Sequence, residues 1–167
     1  TSCTIHNVAN DGVWRRAVPK AAQTTYKVSG ANRIDIAIQC FGDGGIYYRL
    51  DDATGTPIVV ITVEDFDDGY GGDLEEWTPD RPGYLQDLTG AGSAEDTFTI
   101  SMSAKPAGIN GVEYDPDVQL KNMTFGELQE WTLKTTNNHP FHLHLYHMQI
   151  VTTGGCGNNF DEGEWYD

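Results

Sequence analysis

The chain has 167 residues and a formal net charge of −15, with 38% hydrophobic and 11% aromatic residues. That is enough apolar material for one large domain or two small ones. So acidic a chain lacks the basic face a nucleic-acid partner requires and is disfavoured on anionic membranes, while its field attracts cations. No apolar run approaches the roughly 18 residues that membrane insertion requires. There is no initiator Met, and the ends at Thr1-Ser-Cys3 and Glu164-Trp-Tyr-Asp167 read as those of a processed chain or a piece of a longer one.

In chain order, Thr4–Ala9 predicts a short strand and Asn10-Asp11-Gly12 a turn. Val13–Ala22, with Trp14, Arg15, Arg16 and Pro19, reads as a loop, and β-branched Thr24–Val28 as a strand. Arg33–Cys40 alternates, with Ile34, Ile36 and Ile38 on one face and Asp35, Ala37 and Gln39 on the other. Ile46–Leu50 and Ile58–Val63 are further strands, separated by the turn Asp51–Pro57. Turns spaced about 8–12 residues apart, with no sustained helical period, predict an all-β sandwich or barrel.

Glu64–Asp80 holds eight carboxylates, no Lys or Arg, and three interrupting glycines. Asp65-x-Asp67-x-Gly69 has a faint calcium-loop look, but its glycine is misplaced for an EF-hand. The stretch reads as an acidic Gly/Pro-rich linker extending to Asp96. Strands resume at Thr97–Met102, where Phe98, Ile100 and Met102 share a face, and at Glu130–Lys134, where Trp131 and Leu133 do. Between them lie turns at Ala107–Gly111 and Asp115–Asp117.

Cys3, Cys40 and Cys156 leave one cysteine over in any internal arrangement. Cys3 and Cys40, at the ends of two strand-like runs, admit a bridge that the sequence does not settle. Asn122-Met-Thr124 is a glycosylation sequon, a slight pointer to secretion.

Four of the five histidines fall within His139-Pro-Phe-His142-Leu-His144-Leu-Tyr-His147. On a strand, His142 and His144 would project to one face. Pro140 denies the ladder an N–H, which suits a strand entry and lets His139 point elsewhere. The spacing predicts two metal positions, one served by the H-x-H pair and one by His139. Imidazole suits Cu, Zn, Fe and Ni alike.

Asn138-His-Pro-Phe-His-Leu-His144, followed by Leu-Tyr-His-Met-Gln-Ile-Val151, resembles the third copper motif of multicopper oxidases, of the bilirubin oxidase and bacterial copper-efflux type. Asn110-Gly-Val-Glu-Tyr114 and Gly126-Glu-Leu-Gln-Glu-Trp131 resemble the approach to the family's third domain. Asn10-Asp-Gly-Val and Val28-Ser-Gly-Ala-Asn-Arg33-Ile-Asp35 resemble the close of its second domain.

The resemblance implies cupredoxin-like Greek-key β-sandwich domains, both partial. Residues 1–63 would be the C-terminal part of one, 64–96 the linker, and 97–167 the N-terminal part of a copper-binding one. It implies that His139 binds a type 1 copper, His142 a type 2 copper and His144 a type 3 copper. His147 and His6 read as structural or surface residues.

The family also draws H-x-H pairs from a first domain and an H-C-H-x-x-x-H segment further downstream. Neither is in these 167 residues, and Cys156 has no neighbouring histidine. The remaining ligands would come from the rest of the parent polypeptide or a partner chain. The implied activity is that of a secreted, extracellular or periplasmic oxidase. It would couple one-electron oxidation of phenols, pigments or metal ions such as Fe(II) or Cu(I) to reduction of dioxygen to water. The implied partners are that substrate and dioxygen, with no nucleic acid and no membrane insertion.

Two other readings compete. One is a non-catalytic cupredoxin-like module of an extracellular assembly. The other is a mononuclear Zn or Fe site on the H-x-H pair, for which no further ligand has convincing spacing.

Overall fold

The computed structural model describes the chain apart from residues 1, 29, 42–43, 46, 65–71, 73, 137–138 and 156–159. The Asp65-x-Asp67-x-Gly69 triplet and Cys156 therefore lie outside the described residues. Among the described residues there is no helix, so none is long and apolar enough to cross a membrane. The chain is all-β, as its period-2 patterning predicts.

Among the described residues, ten strands form four small sheets. β1 (Ser2–Asn10) is flanked by β2 (Val13–Trp14) and β3 (Ile34–Phe41), both antiparallel to it. β4 (Tyr47–Asp51) and β5 (Pro57–Thr62) make an antiparallel pair. β6 (Asp96–Ala104) lies between β7 (Ala107–Ile109), which is antiparallel, and β8 (Gln129–Thr135), which is parallel. β9 (Met148–Gln149) pairs with β10 (Trp165–Tyr166).

Two turns show why these sequences reverse where they do. Asp11 and Gly12 both adopt positive φ, 49° and 81°, between the paired residues Asn10 and Val13. Asn110 and Gly111 do the same at 52° and 78°, closed by Ile109 and Val112 exchanging both backbone hydrogen bonds. These are the two-residue Asp-Gly and Asn-Gly hairpin turns, whose twist matches that of the flanking strands. At Gly108 a Cβ would stand 2.3 Å from the Val112 carbonyl oxygen, so the close return of the chain requires glycine.

Cys3 and Cys40 sit opposite each other on β1 and β3 and form a disulfide with a Cα–Cα separation of 4.0 Å. The expected strand at Thr24–Val28 does not form. Only Gln23 bridges to β1, at Ile5. That edge of β1 is already served: the Arg15, Lys20 and Gln23 amides donate to the Val8, Asn7 and Ile5 carbonyls, and the Tyr26 hydroxyl accepts the Asn7 N–H at 3.0 Å and donates to the Ile5 carbonyl at 3.2 Å.

The buried apolar set is small: Ala9, Val13, Val18, Leu85, Ile100 and Trp165. Val13, Leu85 and Trp165 pack together, drawing on three distant parts of the chain. Within the stretch read as a linker, Trp77 exchanges two backbone hydrogen bonds with Val18 and sets its ring edge-on to Trp14 at 5.9 Å.

Beside this core lies a knot of charges. The buried Arg15 donates to Asp161 at 2.5 Å, and Lys20 donates to the same carboxylate at 2.6 Å. Glu164, also buried, accepts from the Arg16 amide at 3.0 Å and from Arg81 at 3.1 Å. Acids from the last residues thus meet bases from the first twenty and Arg81, just past the acidic stretch. Burial of such groups is tolerated because each is paired and hydrogen-bonded.

Candidate metal centre

The histidine stretch leaves the end of β8 and reaches β9, and its lead-in is clamped by aromatic rings. Phe98 on β6 and Trp131 on β8 are register partners and meet edge-on at 5.4 Å. Trp131 in turn lies 6.5 Å from Phe141. Phe141 is the residue between Pro140 and His142, so the β6–β8 sheet fixes the middle of the motif. Apolar contact of this kind anchors a segment that has no ladder of its own.

The expected strand through His142 and His144 is shorter than predicted: only Met148–Gln149 pairs. The backbone turns at His144 and Leu145, and Leu145 has a φ of +75°. That conformation is incompatible with a strand and strained for a branched side chain. Pro140 contributes no ladder donor upstream of it. The pairing of rings predicted from H-x-H spacing nevertheless arises. His142 and His144 meet edge-to-face with ring centroids 4.9 Å apart.

His139 stands separately. It is exposed, and its Nδ1–H donates to the Pro140 carbonyl at 2.8 Å. Among the described residues, no group of three or more His, Cys, Asp or Glu is gathered as a metal site. The chain therefore brings two of its three candidate ligands together and leaves the third apart. Two adjacent imidazoles fit a copper, zinc, iron or nickel centre in donor type. They fall short of a full coordination sphere in number.

The other two histidines have structural partners. His6 Nδ1–H donates to the Lys20 carbonyl at 2.9 Å, and its other nitrogen lies 3.1 Å from the Thr4 hydroxyl. The half-buried His147 donates from Nε2 to the Asp11 carbonyl at 3.4 Å.

One contact at the site has no counterpart in the sequence reading. The His142 Nδ1 lies 2.7 Å from Oδ1 of Asp167. The two residues are 25 positions apart, and nothing in the local pattern links them. The β9–β10 pairing brings them together, because Tyr166 sits opposite Met148 and Asp167 follows directly.

The sequence model of the multicopper oxidase family matches residues 77–166, more than half of the chain and the whole histidine stretch. Laccase-14 of Oryza sativa subsp. japonica is 27% identical over 82 residues, which cover 49% of this chain and 13% of that protein. The aligned part thus spans a small fraction of the relative's length. No solved structure matches.

Proposed function

Since this chain belongs to the multicopper oxidase family, we propose that it serves as part of an oxidase that couples one-electron oxidation of a substrate to reduction of dioxygen to water. Family membership implies copper and oxidoreductase chemistry, and the all-β architecture agrees with the family's cupredoxin-like domains. Copper would supply the electron transfer and the reaction with oxygen, while the protein sets geometry and potential.

The observation that carries the reading is the division among the histidines. His142 and His144 present two imidazoles at 4.9 Å, suited to neighbouring ions of a cluster, and His139 is held apart by its own contact with Pro140. On this reading His139 holds a type 1 copper, His142 a type 2 copper and His144 a type 3 copper. The remaining ligands come from outside these residues. Residues 1–63 belong to one cupredoxin-like domain, 64–96 connect, and 97–167 begin the copper-binding domain. The substrate is a phenol, a pigment or a low-valent metal ion, and the acidic surface favours the last by attracting cations.

The Cys3–Cys40 disulfide supports a secreted or periplasmic setting, because such bonds persist under oxidising conditions.

The test is a pair of substitutions in the parent protein. His139→Ala is expected to bleach the intense blue colour of a type 1 site. His144→Ala is expected to keep the colour and abolish oxygen uptake. Equal effects on colour and uptake in both variants would contradict the division. A colourless, copper-free parent protein would favour a non-catalytic module.

A further inference from the structure

We propose that Asp167, itself held in place by the buried carboxylate of Asp11, fixes the tautomer and orientation of His142 so that its Nε2 is the nitrogen offered to a metal. The inference deepens the copper-ligand reading of His142 and rests on it.

The geometry begins at Asp11, in the β1–β2 turn. Its side chain is only 1% exposed. A buried carboxylate needs hydrogen-bond donors around it, and here they are present. Oδ1 accepts the Arg33 amide at 2.8 Å, and Oδ2 accepts both the Asn32 side-chain amide at 3.2 Å and the Asp167 amide at 3.1 Å. The backbone closes the arrangement, with the Asp11 amide donating to the Arg33 carbonyl at 2.9 Å. Asp11 thus fixes the Asp167 backbone against the loop before β3.

The Asp167 side chain is then committed on both oxygens. Oδ2 lies 3.3 Å from the Arg33 guanidinium, and Oδ1 lies 2.7 Å from His142 Nδ1. An ionised carboxylate has only acceptor capacity. With the carboxylate as acceptor, the hydrogen between them sits on His142 Nδ1, which leaves Nε2 as the ring nitrogen that Asp167 does not engage. Metal-binding histidines commonly have this arrangement, in which a carboxylate takes the distal N–H, sets the ring's rotation and raises the basicity of the ligating nitrogen. The neighbouring His144 ring packs edge-on against His142.

Asp167 is a positioning residue, acting on a metal only through His142. His139 has no such support, since its Nδ1–H goes to a backbone carbonyl one residue away.

The experiment uses the metal-free full-length protein with 15N-labelled histidine, reading ring tautomers from long-range proton–nitrogen spectra. His142 is identified by the signals that vanish in His142→Gln. The expected result is an Nδ1–H tautomer for His142 that gives way to the ordinary Nε2–H form in Asp167→Ala. His6, whose Nδ1–H donates to Lys20 at the far side of β1, stays unchanged and reports an intact fold. In the copper-loaded protein, Asp167→Ala is expected to weaken retention of copper against a chelator by roughly 10- to 100-fold.

An Nε2–H tautomer in the unmodified protein overturns the proposal. So does an Nδ1–H tautomer that persists in Asp167→Ala with His6 intact. The copper content of loaded His142→Gln tests the underlying reading separately. Full retention there removes His142 from the ligand set whatever the tautomer.

Discussion

The knot around Arg15 and the β4–β5 hairpin use their residues in opposite ways. In the knot, charged and polar groups are buried: Asn7, Arg15 and Glu164 all lie inside, each with partners. In the hairpin, apolar groups face outward, with Ile58 64% exposed, Val59 44% and Val60 58%. The knot gathers three segments far apart in sequence, so each buried charge finds an opposite charge or a donor there. Among the described residues the hairpin pairs only with itself, and an isolated two-stranded ribbon has no second layer to cover its apolar side chains. Phe125, Leu145 and Tyr114 are exposed in the same way. Polar groups can thus be buried where topology converges, and apolar ones are left out where it does not.

The largest expected effect lies where the apolar core touches the knot. Trp165 is 5% exposed and packs with Val13 and Leu85. Trp165→Ala should cost about 3–5 kcal/mol, read as a shift in denaturant midpoint. A cost below about 1 kcal/mol would mean that the knot, and not the packed trio, holds the ends together.

Acid should loosen the knot next. Burial works against the charge of Asp161, but hydrogen bonds from Lys20 and Arg15 outweigh it and hold the carboxyl below its ordinary 3.8. A depressed carboxylate contributes stability that is fully present above its unfolded value and is lost as pH falls through the folded one. Stability is therefore expected to be flat above about pH 5 and to fall below about pH 4. Asp87, held down chiefly by the Thr89 amide, and Asp96, held down chiefly by Lys121, give slopes of the same sign. Asp161→Asn should flatten only part of the acid slope in a pH-resolved unfolding series. An unchanged slope would remove Asp161 from the account.

The smallest effect sharpens the other side of the comparison. In this chain alone, Ile58→Ser should change stability by no more than about 0.5 kcal/mol, as at ordinary surface sites. In the parent protein the same substitution should cost about 1.5–3 kcal/mol if the face is covered there. Equal costs in both settings would mean the hairpin face stays in water.

Much of this architecture was legible from local rules. Alternation placed β3 and β6, and Asn10-Asp11-Gly12 marked a turn that forms, whereas within the turn expected over Ala107–Gly111 only Asn110-Gly111 turns and Ala107–Ile109 pairs as β7. H-x-H spacing placed His142 and His144 on one face. It did so for a reason the structure revises, since the rings meet just before the turn at His144 and Leu145 and not along a strand. The Thr24–Val28 strand failed because the β1 edge is already served by the Arg15, Lys20 and Gln23 amides and the Tyr26 hydroxyl, a competition that β-propensity does not register.

Residue type and short spacing are local properties, and they determined the all-β class, the turns and the cluster of imidazoles characteristic of a copper-oxidase motif. Tertiary structure alone decided the Cys3–Cys40 pairing, the convergence of Arg15, Lys20 and Arg81 on Asp161 and Glu164, and the contact of Asp167 with His142. Each of these joins residues whose separation in sequence carries no signal. Their meeting follows from which strands pair and in which register, as when β9 and β10 set Asp167 beside the histidines.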